Sequence, residues 1–165
     1  MLITEKLLPL SYYEINSRSV DWLVLEWFET NKRILHKTTT SGREVTMKFL
    51  QANQNLAQDD VLYEDAETII AVEIAACDAI VVKPKNGYEM AAICYEIGNR
   101  HVPLFFENNE LLVPFEVPLF SVLQKAGYEV QEGKRKLLTP LKTTVLPHGG
   151  GSLFSKDMTF SIADR

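Results

Sequence analysis

With 165 residues, 46% of them hydrophobic and 24% charged, the chain is long enough for one medium domain or two small ones with modest cores. A net charge of −5 and scattered lysines and arginines exclude the concentrated basic footprint that a nucleic-acid partner requires. No run of about 18 apolar residues occurs, and the start Met1-Leu2-Ile3-Thr4-Glu5-Lys6 lacks the apolar core of a signal peptide, so the expectation is a cytoplasmic protein with no membrane partner.

From Met1 to about Ile74 the pattern is strand-like, which predicts an all-β domain over residues 1–75. Asp21 to Phe28 is rich in Trp, Val, Leu and Phe and reads as a strand buried on at least one face. Ile34 to Thr39 and Glu44 to Phe49 flank Ser41-Gly42 and form a predicted hairpin. Val61 to Glu64 and Thr68 to Ile74 flank Asp65-Ala66 in the same way. Between the two pairs, the polar, amide-rich stretch Gln51 to Asp60 reads as a loop or a single helical turn.

At Ala75-Ala76-Cys77 the period changes. Ala79 to Lys83 is a short apolar strand closed by Pro84, and Tyr88 to Ile97 is a helix with Met90, Ile93, Cys94 and Ile97 on one apolar face. Gly98 and Asn99 supply the left-handed residues that end it, placing His101 at the mouth of a strand running from Val102 to Phe106. Asn108-Asn109 turns into a strand from Leu111 to Pro114; Pro118 opens a helix through Ala126 that stops on Gly127, and Tyr128 begins a fourth strand. The order β-α-β-β-α-β predicts a ferredoxin-like domain over 76–143, so the fold class is α+β. Val145 to Gly151, with three consecutive glycines, predicts a flexible C-terminal tail over 144–165, with Phe154, Met158, Phe160 and Ile162 as apolar residues on a polar segment.

Elimination narrows the chemistry. There is no G-x-S-x-G, no P-loop and no G-x-G-x-x-G. Asp59-Asp60, Glu107 and Glu110 fall at turns, where carboxylates are expected to be solvated. Cys77 and Cys94 lie seventeen residues apart without a C-x-x-C pair and read as small core residues carrying reduced thiols. No nucleophile, base and orienter set emerges, so the expectation is a protein that is not an enzyme. Of the three histidines, His36 sits mid-strand in a structural or solvated role, while His101 follows a helix stop and can serve as a metal ligand. Imidazole suits nickel, copper and zinc alike. One histidine per chain makes a poor site, and a second copy of the chain is the cheapest source of another.

Tyr95 and the run Gly98-Asn99-Arg100-His101-Val102-Pro103-Leu104 resemble the signature of the UreE-type urease accessory proteins, which are nickel metallochaperones. Weaker echoes are Ser41-Gly42-Arg43-Glu44-Val45 and the stretch from Leu56 to Leu62, where relatives commonly carry glycine at the position of Asp59. The resemblance implies a β-rich domain followed by a ferredoxin-like metal-binding domain. It further implies Ni2+ as cargo, with Zn2+ and Cu2+ able to compete, held between the two metal-binding domains of a homodimer. The central ligand pair is then His101 from each subunit, with water or His148 completing the shell. The implied partners are the urease accessory GTPase and the urease maturation complex. Two positions depart from the family. Many relatives end in a histidine-rich tail, whereas only His148 follows His101 here, and some carry histidine where this chain has Glu96. The rival readings are a ferredoxin-like nucleic-acid-binding module, in which Phe105-Phe106 stack bases, and a metal-dependent hydrolase, which lacks histidines and a general base.

Overall fold

The computed structural model describes residues 1–49 and 55–141. Its first half is built from β1 (Leu2–Ile3), β2 (Ser19–Leu25), β3 (Ile34–Thr38), β4 (Glu44–Lys48), β5 (Val61–Glu64) and β6 (Thr68–Ile74). Alternation decides which way the hairpin faces: Leu35 on β3 and its cross-strand partner Met47 on β4 are buried, while His36 and Lys48 point outward. Gly42, at φ +89, takes the left-handed step in the turn between them. The strands form two sheets, β1-β4-β3 and β2-β6-β5, with β2 running parallel to β6. Leu23, Leu25, Met47, Phe49, Ile70 and Ile74 fill the core they share. The expected all-β half and both expected hairpins are present.

Two details of this half differ from expectation. The apolar run from Asp21 to Phe28 leaves the strand after Leu25, and Trp27–Glu29 forms a single 3-10 turn. The Glu26 amide donates to the Glu29 carboxylate at 3.0 Å, which caps the turn and swings Trp27 and Phe28 away from β2. Asp60, expected to be solvated, is 4% exposed; it pairs with Lys6 at 2.8 Å and accepts the Ala57 amide at 2.8 Å. Its neighbour Asp59 adopts φ +67, a left-handed conformation that favours glycine.

Asp21 is the buried charge of β2. Its carboxylate accepts the Ser41 amide at 2.9 Å, the Ser41 hydroxyl, and the Thr40 hydroxyl at 3.1 Å, fastening the β3–β4 turn to β2. Burial alone pushes this carboxyl up, but the hydroxyl and amide donors around it outweigh that and hold it below the ordinary aspartate range. A carboxylate with a depressed folded pKa adds stability above its unfolded value, about 3.9, and loses it as pH falls through the folded value. Asp21→Asn is therefore expected to lower stability by about 1–3 kcal/mol at neutral pH, because the new amide NH2 faces donors it cannot accept from. The gap to wild type should close below about pH 4. Urea unfolding of both proteins at several pH values checks this, and a gap independent of pH would refute it.

One residue, Ala75, separates β6 from the second half, which comprises β7 (Ala76–Val82), α1 (Gly87–Asn99), β8 (Phe105–Glu107), β9 (Glu110–Pro114), α2 (Val117–Lys125) and β10 (Val130–Lys136). The order is the expected β-α-β-β-α-β, and the antiparallel sheet runs β10-β7-β9-β8. Ile93 and Ile97 of α1 and Leu119 and Leu123 of α2 are fully buried against Ile80, Val82, Leu111 and Val113. Each such side chain contributes about 1.5–3 kcal/mol by leaving water. Asn108 and Asn109, at φ 49 and 61, make the two-residue turn of the β8–β9 hairpin. Pro118 lies in the first turn of α2 and Gly127, at φ +83, follows its end.

The opposite face of this sheet, Ala79, Val81, Phe105 and Leu112, is covered by Leu137 and by Trp27 from the first half. Trp27 meets the Phe105 ring edge-on at 5.7 Å while also packing on the first core. Lys136 and Glu73 form a 2.9 Å ion pair between the halves. No helix among the described residues is long and apolar enough to cross a membrane.

Candidate metal centre

The segment around His101 is set by how α1 begins and ends. Asn86 caps the first turn, its Oδ1 accepting the Glu89 amide at 2.9 Å. The helix then runs through Gly98 and Asn99, both helical, so neither supplies the left-handed residue expected of them. That role falls to His101 itself, at φ +56, whose amide donates to the Gly98 carbonyl at 3.0 Å. Outside glycine, histidine is among the residues that visit this region most readily, with asparagine and aspartate. The reversal turns the chain out of the helix and leaves His101 exposed, outside both cores.

His101 also stands further from the strand than expected. β8 begins at Phe105, because Pro103 has no amide to donate and pairing with β9 starts at Phe105, opposite Leu112. The imidazole therefore belongs to the C-terminal turn of α1, where the free carbonyls carry partial negative charge and favour a cation. Arg100 next to it is paired with Glu96 at 3.2 Å across one helical turn, so the position where some relatives carry histidine here holds the partner of that guanidinium. Along α1, Tyr88, Ala91, Tyr95 and Gly98 form an exposed stripe with the spacing of one helical face, and Tyr88 and Tyr95 are 87% and 73% exposed. The stripe ends at His101.

The other candidates lie elsewhere. His36 is on the outer face of the β3–β4 hairpin, its Nδ1 2.9 Å from the Thr46 hydroxyl of the cross-strand residue, in keeping with a structural or solvated role. His148 lies outside the described residues, as does the tail 144–165. Cys94 packs against the helix-covered core and Cys77 against the opposite face of the sheet. Burial pushes both thiols up, and at Cys77 the charges of Glu26 and Asp78 add to it, so both stay protonated. Among the described residues no group of three or more His, Cys, Asp or Glu side chains is gathered as a metal site. Of Phe105 and Phe106, the two rings that stack bases in the rival reading, Phe105 is buried under Trp27 and cannot present its face to a nucleotide, whereas Phe106 is 37% exposed.

The chain matches the family model for the N-terminal domain of the UreE urease accessory protein over residues 3–75 and that for its C-terminal domain over 77–140. It is 46% identical to the urease accessory protein UreE of Flavobacterium johnsoniae over 164 residues, 98% of this chain and 99% of that protein. The UreE of Haemophilus influenzae is 42% identical over 129 residues, 78% of this chain and 70% of that protein. The UreE of Acetivibrio thermocellus is 38% identical over 141 residues, 86% of this chain and 92% of that protein.

Proposed function

The chain belongs to the UreE family of urease accessory proteins, and on that premise we propose that it acts in urease maturation as a cytoplasmic, non-enzymatic carrier of Ni2+. The observation that carries this reading is His101, an exposed imidazole held by a left-handed turn at the end of α1, inside the Gly98-to-Leu104 run that marks the family. Nickel as cargo comes from the family resemblance; the imidazole itself also accepts Zn2+ and Cu2+.

Since no group of three or more potential ligands is gathered among the described residues, the carrier is a homodimer with the two His101 side chains facing each other across a two-fold axis. The exposed Tyr88-Ala91-Tyr95-Gly98 stripe suits that contact, because two such stripes packed together bury aromatic surface and bring both His101 residues to the seam. His148 is an optional further ligand. Such an open, few-ligand site lets the ion go again, and the recipient is the urease accessory GTPase within the urease maturation complex.

Calorimetric titration with Ni2+ is the test. About one ion per two chains is expected, with affinity falling as pH is lowered from about 7.5 to about 5.5, since each coordinating imidazole must give up its proton. Affinity flat across that range would point to carboxylate ligands, and absence of binding would end the carrier reading. Failure to co-elute with the GTPase, with or without nickel and nucleotide, would remove the delivery step.

A further inference from the structure

The sheet of the second half has two edges, and they are finished differently. At β8 the chain returns: Pro140 bridges antiparallel to Phe105, and the Leu141 amide donates to the Leu104 carbonyl at 2.7 Å. At the other edge β10, seven residues long, pairs among the described residues with β7 alone. A strand of that length with an open side is a template for another strand.

Alternation decides which groups are on offer. The Lys83 amide donates to the Glu129 carbonyl at 3.0 Å, so along the antiparallel ladder Glu129, Gln131, Gly133 and Arg135 turn their main-chain groups toward β7. Val130, Glu132, Lys134 and Lys136 turn theirs outward. The Lys134 carbonyl bears this out: it accepts from the Arg135 guanidinium at 3.1 Å, a stand-in for the missing neighbour that leaves its second lone pair available.

Charge along the strand selects the partner. Glu129 and Glu132 precede Gly133, and Lys134, Arg135 and Lys136 follow it. Turned over about a two-fold axis at Gly133, the strand meets its own copy with Glu132 opposite the other copy's Lys134 and Val130 opposite its Lys136, all four among the outward-turned residues. Glu132 and Lys134 are both exposed. A parallel copy in register would set the three cations against three cations. At the axis Gly133 offers no side chain to collide, and the Arg135 guanidinium already occupies the space 3.4 Å from where a Cβ would stand.

We propose that the β10 edge is an isologous interface at which two copies of this chain join their sheets, β10 on β10, in register about Gly133. The joined strands exchange about eight main-chain hydrogen bonds, and the two Glu132–Lys134 pairs fix orientation and register. A strand pair is a small interface, so association is reversible and depends on concentration. It uses no residue of the α1 stripe and does not rest on the carrier reading. Where both surfaces are used, dimers join into larger closed or open assemblies.

Sedimentation velocity in EDTA, over about a hundredfold range of protein concentration, is the test. Wild type should show an association step that Glu132→Lys and Lys134→Glu each weaken by at least about tenfold, since each reversal sets like charges opposite each other twice. An equimolar mixture of the two variants should associate again, because the reversed strands complement each other, and so should the E132K/K134E double variant. E132K leaves the Lys134–Asp78, Arg135–Glu110 and Lys136–Glu73 pairs in place, and thermal unfolding checks that each variant folds. Should K134E fail to fold, E132K and the double variant against wild type decide the matter. No association step in wild type, a step indifferent to the reversals, or a mixture and a double variant that stay apart would each overturn the β10 interface. A step indifferent to the reversals belongs to another surface such as the α1 stripe, so the carrier dimer stands or falls separately.

Discussion

Replacing His101 by alanine or by glycine is expected to abolish tight nickel binding in both cases while the protein stays folded. The imidazole lies outside both cores, so its removal opens no cavity. If the two His101 side chains are the central ligand pair, each substitution removes both from a dimer, and a loss of at least about a hundredfold, ~2.7 kcal/mol, follows. The two variants should differ in stability, however. At φ +56 alanine meets the clash between Cβ and the carbonyl oxygen that glycine escapes, so His101→Gly should be the more stable by about 1 kcal/mol. Titration calorimetry gives the first result and chemical unfolding the second. Nickel affinity surviving in either variant would remove His101 from the site; equal stabilities would show that the left-handed turn costs the chain little.

Trp27→Ala should be the most damaging change remote from His101. This side chain packs on the core of the first half and, through Phe105, on the face of the second sheet opposite its helices. Truncating a partly buried tryptophan at such a junction should cost about 2–4 kcal/mol. The form of the loss is more telling than its size. With Trp27 gone, the Lys136–Glu73 ion pair, partly exposed at both ends, remains across the junction, and such pairs contribute little. Wild type should therefore unfold in one transition and Trp27→Ala in two, as the halves come apart energetically. A single calorimetric transition in the variant, merely shifted down, would show that other contacts couple the halves.

The parts of the fold legible in the sequence were those governed by local chemistry. The apolar spacing from Met90 to Ile97 could serve only a helix against a core, and Asn108-Asn109 could serve as a tight turn because asparagine tolerates positive φ. The misplaced helix end shows where local rules stop. Gly98 is the obvious breaker, yet the helix passes through it and the reversal falls on the histidine three residues later. The run from Asp21 to Phe28 was equally apolar as a strand or as a strand followed by a turn, and only the Glu26–Glu29 contact and a docking site for Trp27 decide between them. Asp60 needed Lys6, 54 residues away in the chain, to be burial-competent. Residues 139–141 pair along the edge of β8 through the Pro140–Phe105 bridge and the bond from the Leu141 amide to the Leu104 carbonyl, main-chain contacts that have no side-chain signature at all. His101 was legible as a candidate ligand by its context, whereas the second copy in the proposed site was reached only through the family resemblance and the general preference for dimers.

The two cysteines bear on the carrier reading proposed above. Thiolate sulfur is the donor that soft metals seek, and the chain's only two thiols are half-buried and kept protonated. Imidazole nitrogen and carboxylate oxygen suit borderline and hard divalent ions. In the carrier reading, a soft monovalent ion such as Cu(I) would first have to displace a proton from a half-buried thiol, which weighs against it where an exposed imidazole competes.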